Sequence, residues 1–318
     1  MNLPRSGGPP QVRRRPAASK GDPLFKWIAL SCALVIPALM AGILMILLLD
    51  SRLAVAKFGL GFLVSDAWNP VTGDFGGLSS IFGTAASTLI AMLIATPLGL
   101  VIALFLVELA PPKLSAFFGS AIELLAAIPS IIYGMWGLFV FAPFMANHVQ
   151  PILGKYLGFL PLFQGPPLGI GMLTAGIILA LMILPYISSV TRDVFMMVPP
   201  VVKEAAYGVG ATNWEVTRGV TLRYSLSGIV GAGFLGLGRA VGETMAVTFV
   251  IGNNHQISAS LFASGNSIAS TLANEFTEAS DPLYLSSLIN LGLVLFIMTL
   301  LFQAAAQFWL WHIGKKMT

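Results

Sequence analysis

Residues 203–251 read KEAAYGVGATNWEVTRGVTLRYSLSGIVGAGFLGLGRAVGETMAVTFVI, and this stretch decides the fold. Its first part is a polar loop that no bilayer could hide. Its second part is apolar and glycine-rich, and it carries Arg239 and Glu243 four residues apart. A loop built to be gripped, joined to a membrane helix holding charge, predicts a machine driven from one side of a membrane.

The whole chain agrees with a membrane setting. Of 318 residues, 56% are hydrophobic and only 9% are charged, with mean hydropathy +0.86. Soluble domains carry about 25% charged residues, so the class of soluble globular proteins is excluded. The apolar residues come in runs long enough for the roughly 20-residue helices that cross hydrocarbon. The fold class expected is an all-α polytopic membrane protein. Six spans are predicted, at 27–49, 81–107, 117–145, 168–190, 226–251 and 285–311. The 23-residue first run is long for a signal peptide, and no small-residue cleavage site follows it. The single cysteine, Cys32, sits inside that run and permits no intrachain disulfide.

Before the first span, residues 1–26 are rich in Pro, Gly and Arg and predict a disordered basic tail. Six spans put both termini on one side. That side holds 13 of the 17 Lys and Arg residues, the other side three, and Arg239 lies within a span. The positive-inside rule therefore places both termini and the 191–225 loop in the cytoplasm. The 50–80 and 252–284 loops are then external. The basic excess serves membrane orientation, and nucleic acid is not an expected partner. Prolines inside spans (Pro97, Pro129, Pro185) predict kinks.

Within the cytoplasmic loop, Pro199-Pro200 opens a helix. Gly208 and Gly210 end it. Thr212 followed by Glu215 forms a capping box that starts a second helix. Read alone, this is an amphipathic interfacial segment. However, Glu204-Ala205-Ala206, three residues, Gly210, nine residues and Val220-Thr221-Leu222 together resemble the EAA motif of ABC importer permeases. In that family the motif runs EAA-x3-G-x9-I-x-L-P, and it docks on the ATPase. Here Val220 stands for the Ile and Arg223 for the Pro. The resemblance implies a coupling role for Glu204, Ala205, Ala206, Gly210 and Leu222. It also implies a type I (MetI-like) permease fold, with an ABC permease core over 81–312.

Three further stretches sharpen the likeness: Leu237 to Asn253, Ile122 to Gly137, and Leu272-Ala273-Asn274-Glu275-Phe276. From about residue 58 onward the chain resembles the PstC-type permease subunits of phosphate-specific ABC importers. The PstA-type subunit differs through Gly242-Glu243-Thr244-Met245. This resemblance implies a phosphate importer in a bacterial inner membrane. Its implied partners are a PstA-type permease, a PstB-type ATPase dimer and an external PstS-type phosphate-binding protein.

The membrane charges read the same way from physics. On a continuous fifth helix at about 100° per residue, Gly228, Ala232, Gly236, Arg239, Glu243 and Ala246 share one small face. Small faces allow helices to approach closely, and a charge at bilayer depth costs about 3 kcal/mol or more unless it meets protein or water. The charged face is thus expected to point into the bundle, with Arg239 near the midplane. An arginine fork matches a phosphate geometrically and stays charged. Arg239 and Glu243 are accordingly either a substrate pathway, with Glu243 orienting Arg239, or a structural ion pair locking helices. Glu123 is expected near the cytoplasmic end of span three, on a face with Ser120, Ala127, Ser130 and Gly134. It reads as a pathway residue or a helix-contact partner. The three histidines form no metal-ligand cluster, and neither metal nor cofactor is expected. Gly154-Lys155 is followed by Tyr156, so no P-loop binds ATP here. No nucleophile–base constellation points to an enzyme. The competing class is a proton-coupled secondary anion carrier using Arg239 and Glu243, which would need no docking loop.

Overall fold

The computed structural model describes residues 21–317, with side chains from Pro23 to His312. Residues 1–20 of the expected basic tail lie outside the described residues. The remainder of that segment begins a helix, because Asp22-Pro23 suits a helix start and Leu24 and Phe25 extend the apolar run.

The chain divides into two units, Met1–Ile46 and Leu47–Thr318. The first is occupied by α1 (Gly21–Asp50), which runs on into the second. The second opens with α2 (Arg52–Phe58) and a 3₁₀ turn. A two-stranded antiparallel hairpin follows, β1 (Trp68–Asn69) and β2 (Asp74–Phe75), the one addition to an otherwise helical fold among the described residues. Then come α3 (Leu78–Leu104), α4 (Pro112–Ala126) and α5 (Ser130–Trp136). The short α6 (Ala142–Phe144) and α7 (Gln150–Leu157) continue the line of α5 through π turns. They are followed by α8 (Met172–Met196), α9 (Pro200–Gly208), α10 (Asn213–Val216) and α11 (Leu222–Val241). Last are α12 (Met245–Ile251), α13 (Ile268–Glu275) and α14 (Pro282–Met317). Six helical runs are long and apolar enough to cross a membrane: 23–50, 78–109, 130–157, 172–196, 213–241 and 282–312. The expected all-α, six-span class is therefore what the structure has.

Two spans are corrected. Residues 117–145 do not form one helix, because α4 ends at Ala126 and a new helix starts at Ser130. Pro129 lacks an N–H and disfavours the helical conformation at Ile128, so the run breaks there. The third span is 130–157. Likewise 226–251 is not continuous: α11 stops at Val241 and α12 begins at Met245. The fifth span reaches back instead to Asn213, leaving 197–212 as the connection between spans four and five.

The core is the packing of α3 against α8. Along α3, Gly83, Ser87, Ala91, Ala95, Gly99 and Ala103 recur every fourth residue, and all are buried. A row of small side chains lets two backbones approach where lipid supplies no hydrophobic drive between helices. The approach is close enough that a Cβ on Gly176 of α8 would lie 2.5 Å from Ile90, and one on Gly99 would lie 3.0 Å from Ile187. Two buried hydroxyls here are satisfied within their own helix: Thr84 Oγ1 donates to the Ser80 carbonyl at 2.8 Å and Ser87 Oγ to that of Gly83 at 2.7 Å.

Candidate functional site

The break between α11 and α12 brings the membrane charges to its two sides. Arg239 lies in the last turn of α11, and Glu243 comes just after the end of that helix. The Glu243 carboxylate accepts from the Ala246 backbone N–H at 3.1 Å, at the start of α12. A cation at a helix C-terminus and an anion at an N-terminus each complement the helix dipole. This is a local reason for the chain to break between them, and Gly242 adds backbone freedom there. The expected contact between the two side chains is not made. Among the described residues, no carboxylate pairs with Arg239. Its guanidinium instead faces the Tyr186 ring of α8, 6.0 Å from the centroid, and is otherwise exposed on this chain. That pairing requires an unbroken helix, and at the break Glu243 turns to the α12 backbone instead.

α12 is wedged by small residues. A Cβ on Gly134 of α5 would lie 2.9 Å from the Met245 carbonyl, so α5 and α12 touch backbone to backbone. Glu123 lies on α4, not on the α5 helix face with Ser130 and Gly134 on which the sequence set it. It is 60% exposed and meets Arg192 of α8 at 3.4 Å.

On the other arm of the stretch, α9 and α10 are the two short helices expected. Gly210 between them has φ +88°, the left-handed region that glycine adopts freely. Thr212 and Glu215 make the expected reciprocal capping box: the Thr212 N–H donates to Glu215 at 2.8 Å, and the Glu215 N–H to Thr212 Oγ1 at 3.4 Å. Glu204, Ala205 and Gly210 are exposed, Ala206 is half-buried, and no residue of α9 is fully buried. Leu222 does not end a helix. With Arg223 in place of a proline, the helical run passes unbroken from Asn213 through a π turn into α11, so Leu222 lies within that run.

A third cluster escaped the sequence reading. Glu275, at the end of α13, receives hydrogen bonds from Trp68 Nε1 at 2.7 Å and the Tyr284 hydroxyl at 2.6 Å, and it pairs with His255 Nε2 at 2.8 Å. His255 Nδ1 accepts from the Asn266 amide at 2.9 Å, which leaves its proton on Nε2, toward Glu275. The Trp68 ring stacks on His255 with centroids 5.1 Å apart. Burial works against the Glu275 charge, but the bonds from His255, Tyr284 and Trp68 outweigh it and hold the carboxyl below the usual range. The cluster ties the β1–β2 hairpin, the 252–267 segment, α13 and α14 together. Only the acidity of this loop was legible, because the partners of Glu275 come from three other segments, one of them 207 residues away. Among the described residues no group of three or more His, Cys, Asp or Glu side chains is arranged to hold a metal.

The likeness to known proteins runs along the same lines. Residues 95–318 match the family model for binding-protein-dependent transport system inner membrane components. The chain is 53% identical over 299 residues to the phosphate transport system permease protein PstC of Mesorhizobium japonicum, covering 93% of this chain and 91% of that protein. The PstC of Haemophilus influenzae is 51% identical over 282 residues, 87% of this chain and 89% of its own. Among solved structures, the bacterial alginate ABC transporter in complex with its periplasmic protein aligns with TM-score 0.59 at 15% identity, over 90% of this chain and 94% of that one. An inward-facing MetNI methionine ABC transporter aligns with TM-score 0.55 at 19% identity, over 74% and 94%. The fold is thus that of a MetI-like ABC importer permease, a multi-pass inner-membrane component. The chain belongs to the binding-protein-dependent transport system inner membrane component family and, within it, to the PstC phosphate transport permeases.

Proposed function

We propose that this chain forms half of the translocation pathway of an ATP-driven phosphate importer and presents Arg239 to the passing anion. The observation that carries the assignment is an arginine in the last turn of the fifth span, at a helix break and not at the midplane expected from an unbroken 226–251 helix, with no carboxylate to neutralise it among the described residues. Such a charge must face protein or water. Its exposure on this chain means that a second permease subunit, of PstA type, or a polar pathway between the two surrounds it. Phosphate as the anion accords with the names of the close relatives. Neither ATP binding nor catalysis is assigned to this chain. Hydrolysis belongs to a PstB-type ATPase dimer, and substrate arrives from an external PstS-type binding protein. The direct test is phosphate uptake into vesicles holding the assembled importer. Uptake that requires ATP and the binding protein supports the reading. Phosphate transport by this chain alone, driven by a proton gradient, would replace it with a secondary carrier.

The 197–212 connection is the part we assign to ATPase docking, with Glu204, Ala205, Ala206 and Gly210 at the contact and Leu222 within the next span. Its exposed apolar residues support this, above all Val209 and Val201, at 87% and 72% exposure. Gly210→Val is expected to misdirect the helix after it. Nothing lies within 4 Å of a Cβ there, so the cost comes from the +88° φ alone. A β-branched residue held in that conformation costs about 1–3 kcal/mol. Substrate-stimulated ATP hydrolysis should fall while membrane insertion survives. Normal stimulation in the assembled complex would remove the docking role.

Both termini and this connection are assigned to the cytoplasm, and the 252–267 segment to the outside. In a Cys32→Ser background, a membrane-impermeant thiol reagent added to intact cells should label Ala259→Cys, an exposed position, and spare Thr212→Cys. The reverse pattern would invert the topology.

A further inference from the structure

Where α3 ends, a π turn over Phe105–Leu109 carries Glu108. Where the fifth span begins, a second π turn over Thr217–Thr221 carries Thr221, which is fully buried. The two meet. One oxygen of Glu108 accepts from Thr221 Oγ1 at 2.8 Å and from Lys203 Nζ of α9 at 2.7 Å. The Glu108 side chain is 10% exposed and that of Lys203 is 18% exposed, so the pair is held out of water. π turns in otherwise α-helical runs recur at functional positions, since each inserts an extra residue and re-aims the helix beyond it. Here one of them carries a carboxylate and the other the hydroxyl that donates to it, from positions 113 residues apart in sequence. α9 itself has no fully buried residue to anchor it. The strongest polar tie between α9 and the membrane helices is therefore this shared oxygen.

We propose that Glu108, Lys203 and Thr221 form the joint that transmits movement of the 197–212 connection to the cytoplasmic ends of α3 and α11. The proposal rests on the reading of that connection as the ATPase contact. Docking by exposed residues explains how force arrives at α9. It does not explain how a helix with no buried side chain moves the spans. An ion pair shielded from water is stiffer than an exposed one, and removing one partner strands the other charge. Lys203 is thus a positioning residue whose partner is a membrane helix, although it adjoins Glu204 at the docking face. Thr221 adds the α11 arm, because Glu108 holds both donors at once.

The test uses the assembled importer in vesicles, measuring phosphate uptake and ATP hydrolysis on the same sample. A Val209→Cys probe in a Cys32→Ser background reports cross-linking to the ATPase. Glu108→Gln is expected to lower phosphate moved per ATP by about tenfold, within the usual span of coupling between sites. The cross-link and the yield of complex should persist. The exchange Glu108→Lys with Lys203→Glu restores the pair in reverse and should recover most of the ratio. Thr221→Val, which keeps the shape and removes the hydroxyl, should lower the ratio a fewfold and serves if Glu108→Gln fails to assemble. An unchanged ratio in both Glu108→Gln and Thr221→Val overturns the joint. So does an assembled exchange variant as uncoupled as Glu108→Gln. A parallel fall of uptake, hydrolysis and complex yield would mark a merely structural pair and also overturns it. If the Val209→Cys importer with Glu108, Lys203 and Thr221 intact gives no cross-link, the docking reading fails first and the joint with it.

Discussion

Arg239→Gln should lower phosphate uptake by at least roughly tenfold while leaving a folded, assembled complex. The magnitude comes from losing charge-assisted hydrogen bonds to an anion, each contributing about 1.5–3 kcal/mol. The guanidinium touches the face of Tyr186 and no carboxylate among the described residues, so removing it strands no buried partner. Arg239→Lys keeps the charge but loses the planar fork and should recover only part of the activity. Glu243→Gln should be mild in stability, because an amide oxygen can still accept from Ala246 at the start of α12. A helix-locking ion pair would behave differently: each single neutralisation would lower thermal stability, and the Arg239→Gln, Glu243→Gln double variant would restore both stability and uptake. Uptake and melting temperature for the two singles and the double separate the cases. Full transport in the double variant would defeat the pathway role.

Gly83→Ala should be as damaging to the fold as Arg239→Gln is to transport. A Cβ at Gly83 would sit 1.7 Å from the Asn266 carbonyl oxygen and 2.9 Å from its carbon, both backbone atoms. The loop cannot simply retreat. The Asn266 amide donates to Ser80 Oγ at 2.7 Å, and the Ile268 N–H donates to Thr84 Oγ1 at 2.9 Å. Overpacking a tight contact costs about 1–3 kcal/mol, and more where backbone must move. The same shift would pull Asn266 from His255 and loosen the cluster around Glu275. The expected result is a lower melting temperature of the purified complex and less of it in the membrane. Gly61→Ala, where a Cβ meets nothing within 4 Å, is the control. Equal melting temperatures for the two variants would show that α3 and the 252–267 segment are not packed as described.

Much of this could be read one segment at a time. The six apolar runs were legible because lipid demands about 20 apolar residues of any spanning helix, wherever it packs. The turn at Gly210 and the capping box of Thr212 with Glu215 were legible because a hydrogen bond three residues away needs no knowledge of the rest of the chain. The helix breaks were harder. Pro129 announced a kink, and the structure shows a full stop. Gly242 announced nothing, since glycine inside a membrane helix is ordinary and the break depends on α12 packing against α5 and α8. Setting Arg239 beside Glu243 extended local periodicity through a point where the backbone leaves it.

The sequence by itself determined the class of molecule, four of the six spans to within a few residues, the turn and capping box of the connection between spans four and five, and the charges worth testing. These depend on composition, side-chain period and neighbours within a turn. Only the tertiary structure decided which charges meet. Glu243 turns to the α12 backbone and Arg239 to Tyr186, Glu108 takes Lys203 from 95 residues away, and Glu275 takes Trp68 from 207 residues away. In a bilayer almost any long apolar helix is stable alone, so which faces come together is settled by small-residue packing and by the few polar groups that must find partners.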